Sequence, residues 1–178
     1  MEHMHLVVNL ANESSNRQAS SIPNTGIYIK INKALLISKR QNIFLNEEYY
    51  KYAIEMKVNG EYWVIFRRFS EIREEHERMC KNCPNLRKEP FPPRSPFTKT
   101  DSFQIERQQK LEAYLKNYIQ IVLGETIFLY MPHVKAPGQS DQTIKLTKSH
   151  FCDKLNFFQE TTEDKLNVQK LGWKSFDV

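Results

Sequence analysis

Glycine is scarce in this chain of 178 residues: there are five, and none cluster. No glycine-rich loop is therefore available to cradle the phosphates of a nucleotide. No nucleophile elbow or paired-carboxylate arrangement takes its place. Cysteine is scarce too, and Cys80, Cys83 and Cys152 make an odd set. An odd set speaks against a disulfide framework and for reduced thiols in a cytosolic setting. His76, Cys80 and Cys83 stand at i, i+4 and i+7 of a predicted helix. No second cysteine pair follows at a suitable spacing, and the same positions form that helix's apolar stripe, so no metal is assigned. Long hydrophobic runs are missing. Stretches such as 34–37 and 127–131 are among the longest, far short of the ~20 apolar residues a membrane span needs. The first residues, Met1 to Val8, have neither the basic start nor the apolar stretch of a secretory signal. Any membrane contact is expected to be peripheral.

What the chain does have is enough apolar material for a core, 40% hydrophobic and 12% aromatic residues. Its length suits one domain plus extensions. A net charge of +5 and a pI near 9.0 favour a polyanionic partner, either an acidic membrane or a nucleic acid. The excess of charge alone does not choose between them.

Alternation of apolar residues at Ile27, Ile29 and Ile31 predicts a first strand over 26–38. Tyr50, Tyr52, Ile54, Met56 and Val58 alternate strictly and predict a second. Asn59-Gly60 is a strong hairpin signal, and Tyr62 to Phe66 forms the third strand, which runs directly into Arg67 and Arg68. Ser70 is a plausible cap for the helix that follows, whose stripe is Phe69, Ile72, His76, Met79 and Cys83. Pro84 ends it. Pro90, Pro92, Pro93 and Pro96 predict an extended surface loop. A long helix over 102–123 carries Leu111, Leu115, Tyr118 and Val122 on one side, with a short helix expected near 126–131. Because the strand aromatics alternate into the core, no exposed ladder of rings is left for stacking bases, and no nucleic-acid partner is assigned.

The junction Phe66-Arg-Arg-Phe-Ser-Glu-Ile-Arg73 puts guanidinium groups beside a ring where a strand meets a helix. A guanidinium fork suits a phosphomonoester, and a neighbouring ring suits the CH-rich face of a sugar or cyclitol. Helix N–H groups at the same spot add to the attraction. Downstream come a proline loop with an arginine, Pro90-Phe-Pro-Pro-Arg-Ser-Pro-Phe97, and a helix segment led by Glu106-Arg107. Three motifs in this order, within about 22–123, resemble the phox-homology (PX) family of phosphoinositide-binding modules.

The resemblance implies an α+β fold, a three-stranded antiparallel meander packed on a helical subdomain with a polyproline loop. It implies no catalysis, no cofactor and no metal. It also assigns roles. Arg68 would take the 3-phosphate of a phosphatidylinositol and Phe69, where the family often has tyrosine, would pack on the inositol ring. Arg94, in the place of a family lysine, would contact the 1-phosphate. Arg107 would grip the ring hydroxyls, and Pro96 and Phe97 would dip into the bilayer. Arg67 or Lys110 would be the places to accept an additional phosphate. The partner expected is phosphatidylinositol 3-phosphate in acidic membranes, with the protein cytoplasmic and peripheral on early endosomes. Protein partners would engage the proline loop or the C-terminal tail, and an adaptor acting through the proline-rich loop is the alternative function.

Three segments are expected: a flexible N-terminal stretch over 1–21, the binding domain over 22–131, and a C-terminal tail over 132–178. The stretch Lys145-Leu-Thr-Lys-Ser-His-Phe-Cys-Asp-Lys-Leu-Asn-Phe-Phe158 is similar to the segment after the PX domain in an endosome-transporting kinesin. This similarity implies a tail fragment or a relative of a motor.

Overall fold

A computed structural model describes residues 2–4, 21–22, 26–40, 46–94, 100–130 and 146–173. Its centre is an antiparallel meander of β3 (Ile27–Arg40), β4 (Asn46–Val58) and β5 (Glu61–Arg68), as the alternation predicts. Two short strands, β1 (Glu2–Met4) and β2 (Ser21–Ile22), pair with opposite ends of β3's other edge and bring the sheet to five strands. Glu2–Met4 thus forms a strand within a stretch expected to be flexible; 5–20 lies outside the described residues. Asn59 and Gly60 close the β4–β5 hairpin with φ of 47° and 94°. Two successive positive φ values make the primed turn whose twist matches the strands, which is why Asn-Gly is the pair found there.

A bulge between Ile31 and Lys33 decides which residues face which side. Before it, Ile27, Ile29 and Ile31 point into the main core; after it, Leu35 and Ile37 point into a second cluster on the opposite face. One extra residue shifts the period-two pattern by one, so a single strand supplies both faces. Ile31 lies on the stretch of β3 edge between the positions paired by β1 and β2. There the Ile31 N–H donates to Glu112 Oε2 at 3.0 Å, and Gln108 Nε2 donates to the Ile31 carbonyl. Both side chains come from the long helix α2 (Asp101–Tyr130), which is continuous through 126–130 where a separate short helix was expected.

Helix α1 (Phe69–Asn82) and α2 cover one face of the sheet, with Ile72, Leu111, Leu115, Tyr118 and Ile119 buried against Tyr52, Ile54, Met56 and Ile65. The C-terminal residues complete the same core. Helix α3 (Lys148–Lys154) and the 3-10 turn Asn156–Phe158 bury Phe151, Leu155 and Phe158 completely among these residues. Helix α4 (Thr162–Lys170) and the residues after it cover the opposite face, where Val168, Leu171 and Trp173 pack on Leu35, Ala53, Val64 and Phe66. The boundary expected at 131 is therefore not a boundary of packing: 146–173 is part of the fold. Its physical role is plain at β5, an edge strand whose free groups need partners. Trp63 Nε1 donates to the Phe158 carbonyl at 2.9 Å, and the Phe66 N–H donates to Asp164 Oδ1 at 2.8 Å.

On the second face, Glu55 is 1% exposed and accepts from Trp173 Nε1 at 2.9 Å. Burial, the largest influence, pushes its carboxyl above the usual 4.5 despite hydrogen bonds from Asn32 and Trp173. A raised carboxyl pKa means that ionisation opposes folding: the penalty is absent below about 4.5, the unfolded value, and present in full above the folded one. Relative to Glu55→Gln, which carries no such charge, the wild type should gain thermal stability as pH falls from 7.5 towards 4.5. Thermal midpoints of both proteins across that range test this. A wild-type minus Glu55→Gln difference in midpoint that stays flat or becomes more negative on acidification would show that the buried charge is not opposed.

Candidate functional site

Strand β5 passes into α1 without a loop. Arg68 is the N-cap, with φ −75° and ψ 156°, and Phe69 is the first helical residue. The cap expected at Ser70 therefore stands two residues earlier. Glu71 completes the cap, its carboxylate accepting from the Arg68 N–H at 2.7 Å. Two residues with demanding chemistry are thus fixed at a rigid corner, the end of a strand and the start of a helix.

The Arg68 guanidinium carbon lies over the ring of Tyr49, 3.7 Å from its centroid. Its Nη2 donates to Glu47 Oε1 at 3.1 Å, and both side chains are about one-third exposed, at 35% and 36%. Tyr49 and Glu47 arrive from β4, because the register sets Lys51 opposite Arg68.

Phe69 lies under a second guanidinium. Arg107 of α2 sits between two rings, 4.4 Å from the Phe69 centroid and 4.3 Å from that of Phe103. Its Nε is buried and has no hydrogen-bond partner among the described residues. Tyr52 lies beside it. The Tyr52 hydroxyl donates to Gln104 Oε1 at 2.9 Å, and burial pushes that phenol up to about 12 although the Arg107 charge pulls it down. A wall of rings supports the other side of Phe69. Phe91 is 5.6 Å from it, stacks on His76 at 4.8 Å and meets Tyr114 edge-on at 4.9 Å. His76 is locked by a 2.8 Å hydrogen bond between its Nδ1 and the Tyr114 hydroxyl, and burial lowers its pKa.

The expected residues are distributed as follows. Phe69 and Arg107 are in direct contact, and Arg68 adjoins them along the chain. Arg94 is exposed at the end of the described proline segment, and its charge reaches Glu77 of α1, whose carboxyl is lowered first by Arg73 and also by Arg94. Pro96 and Phe97 lie outside the described residues. Arg67 does not do what was expected of it. Its Nη1 donates to Asp164 Oδ2 at 2.9 Å and its Nη2 to the Gln159 carbonyl at 2.8 Å, so its guanidinium is half-buried and already engaged by the C-terminal segment. Lys110 is paired with Glu106 one helical turn away.

A cleft of about 620 Å³ opens between α1 and the C-terminal segment, lined by Arg67, Glu71, Glu74, Glu160, Glu163 and Asp164 among others. Carboxylates dominate it, and Asp164 and Glu163 are already paired with Arg67 and Lys51. Such a cleft repels a phosphate, whereas the arginine–ring cluster brings the positive charge of Arg68 and Arg107 against aromatic faces. Among the described residues there is no group of three or more His, Cys, Asp or Glu side chains arranged to hold a metal, and no helix is long and apolar enough to cross a membrane.

The PX domain family matches residues 55–126, which contain Arg68, Phe69, Arg94 and Arg107. Kinesin-like protein KIF16B of Mus musculus is 29% identical over 120 residues, which is 66% of this chain and 8% of the relative. Its Homo sapiens counterpart is 27% identical over 119 residues, again 66% of this chain and 8% of that protein. The chain thus spans a small part of the length of these relatives. A crystal structure of a designed CISK-PX domain aligns with 58% of this chain and 91% of its own, at 20% identity and a TM-score of 0.42. Residues 55–126, with the strand-to-helix corner and the helix that carries Arg107, belong to the PX domain family.

Proposed function

We propose that this chain recognises phosphatidylinositol 3-phosphate and brings whatever it is attached to onto endosomal membranes. PX domains are phosphoinositide-binding, membrane-targeting modules and not a family of enzymes. The observation that supports the finer reading is Arg107, held between Phe69 and Phe103 with a buried Nε that has no partner among the described residues, on the ring that follows Arg68 in the chain. Burying a donor without a partner is unfavourable, and a ligand oxygen would satisfy it. A cyclitol ring resting on Phe69 would present hydroxyls to Arg107 and a phosphate to Arg68. Arg94 would take the phosphate that links the head group to glycerol, and Pro96 with Phe97 would enter the bilayer. The net charge of +5 attracts the protein to the same acidic surface.

The binding unit we assign is 22–131 together with 146–173, because the latter fills the core beneath the site. Matching a stretch of kinesin-like proteins supports a role as the lipid-binding part of a motor or of a motor's relative, in the cytoplasm and peripheral on early endosomes.

Sedimentation with phosphatidylcholine–phosphatidylserine vesicles carrying each phosphoinositide isomer in turn tests this. The 3-phosphate vesicles should be bound most tightly, and phosphatidylserine alone weakly. Equal binding to every isomer would reduce the interaction to bulk charge and overturn the reading. An adaptor working through its proline loop would show no isomer preference at all.

A further inference from the structure

The proposed lipid site already has an anion in it. Glu47 occupies Arg68 at 3.1 Å, in the position where a phosphate oxygen would bind, while Tyr49 covers one face of the same guanidinium. We infer that Glu47 is a specificity-determining residue, which holds the site to a single phosphomonoester and turns away head groups with a second phosphate on the adjacent ring carbon. The inference rests on the proposed phosphoinositide reading.

Three observations carry it. A guanidinium has five donors in a fixed fork, so a phosphate can take Arg68 only by displacing Glu47 or by binding next to it. With Glu47 on the same guanidinium, a phosphate bound there would lie within about 6 Å of a carboxylate, close enough for direct repulsion at a site one-third exposed. The repulsion grows with the charge of the ligand, so a vicinal bisphosphate suffers more than a monophosphate. Nor is there ready compensation from Arg67 and Lys110, the two cations expected to accept an additional phosphate. Arg67 is committed to Asp164 and the Gln159 carbonyl, and Lys110 is paired with Glu106. A second phosphate would therefore add repulsion from Glu47 without gaining either of these partners.

Glu47 is not part of the core, and the ion pair it makes is of the exposed kind that contributes little to stability. Glu47→Gln should therefore fold normally. Titration calorimetry with soluble inositol 1,3-bisphosphate and inositol 1,3,4-trisphosphate reads the head group alone. Vesicles with phosphatidylinositol 3-phosphate or phosphatidylinositol 3,4-bisphosphate read the lipid, and inorganic phosphate reads the bare anion. Glu47→Gln is expected to tighten binding of the head group with one phosphate at position 3 by about two- to fivefold, the scale of an exposed ion pair. For the 3,4 head group the gain should be larger, on the order of four- to twentyfold, since repulsion scales with ligand charge. Glu74→Gln, an exposed substitution on α1 with the same change in net charge, serves as the control and should leave the ratio between the two head groups unchanged.

Equal gains for the two head groups, no gain, or the same narrowing of preference in Glu74→Gln would each overturn the assignment of Glu47 while leaving the proposed function standing. If neither the wild type nor Glu47→Gln binds any of the phosphoinositides, both readings fall together. Tightening confined to inorganic phosphate would show that Glu47 screens Arg68 from small anions only, which also overturns it.

Discussion

Arg68→Gln is expected to stay folded and to lose sedimentation with 3-phosphate vesicles. The fold is expected to survive because the cap at this corner uses the backbone N–H of residue 68 and the carboxylate of Glu71, neither of which changes. The side-chain contacts that disappear are an exposed pair with Glu47 and a stack on Tyr49, and exposed pairs contribute about 0–1 kcal/mol. Binding, in contrast, loses a fork to a phosphate. Hydrogen bonds to charged groups contribute roughly 1.5–3 kcal/mol each, and two of them correspond to about a hundredfold or more in affinity. Circular dichroism and a thermal melt establish the fold, and sedimentation across a range of lipid concentrations reads the affinity. A folded Arg68→Gln protein that sediments as the wild type does would remove Arg68 from the site. Retention of binding by Arg68→Gln together with its loss in Arg107→Ala would instead move the phosphate to α2.

Much of this site was legible in the sequence because its pieces are local. Arg68 and Phe69 are adjacent, and Arg107 follows the proline loop in a recognisable order, so motif and spacing suffice to name them. Tyr49 and Glu47 reach Arg68 only through strand pairing. Counting back from the Asn59-Gly60 turn along a regular hairpin does set Lys51 opposite Arg68 and Tyr49 two residues away on the same face, so a usable signal existed. The commitment of Arg67 had none. Two successive arginines at a strand end look alike in sequence, yet alternation along β5 sends their side chains in different directions and a carboxylate 97 residues away selects one of them. The meander itself was legible for the usual reason, apolar alternation interrupted by a turn pair. The bulge at β3 was not, since Ala34-Leu-Leu-Ile37 is apolar throughout and carries no mark of the residue at which the pattern changes face. Nor was the place of the C-terminal segment. Helices of seven and nine residues are too short for a clear period, and their apolar residues acquire meaning only when the sheet beneath them is present.

Removal of residues 146–178 should consequently abolish the fold, although this segment lies wholly outside the stretch matched to the PX family. Phe151, Leu155 and Phe158 are at most 1% exposed and share one cluster with Ile54, Trp63 and Tyr118. At about 1.5–3 kcal/mol for each fully buried side chain, their loss alone amounts to about 5–9 kcal/mol, comparable with the whole stability of an ordinary domain. Two further losses point the same way. Without Asp164 the Phe66 N–H on the edge of β5 loses its partner and the Arg67 guanidinium loses its carboxylate. Without Val168, Leu171 and Trp173 the second face of the sheet exposes Leu35, Val64 and Phe66 to water, and an apolar face beside an open strand edge favours aggregation. A protein ending at residue 145 is therefore expected to be insoluble, or to give no cooperative melt. Phe158→Ala in the intact chain isolates the packing contribution; it should cost about 3–5 kcal/mol and lower the denaturant midpoint without changing the slope. The competing possibility is that α3 and α4 merely rest on a domain that is complete without them. Then the shortened protein would melt cooperatively within a few degrees of the full chain and bind 3-phosphate vesicles unchanged, and Phe158→Ala would pass almost unnoticed. The Trp63 indole separates the two cases in solution. It is buried, donates to the Phe158 carbonyl and meets the Phe151 ring edge-on, so its fluorescence should shift to longer wavelength in Phe158→Ala before any global unfolding if the C-terminal segment is part of the core.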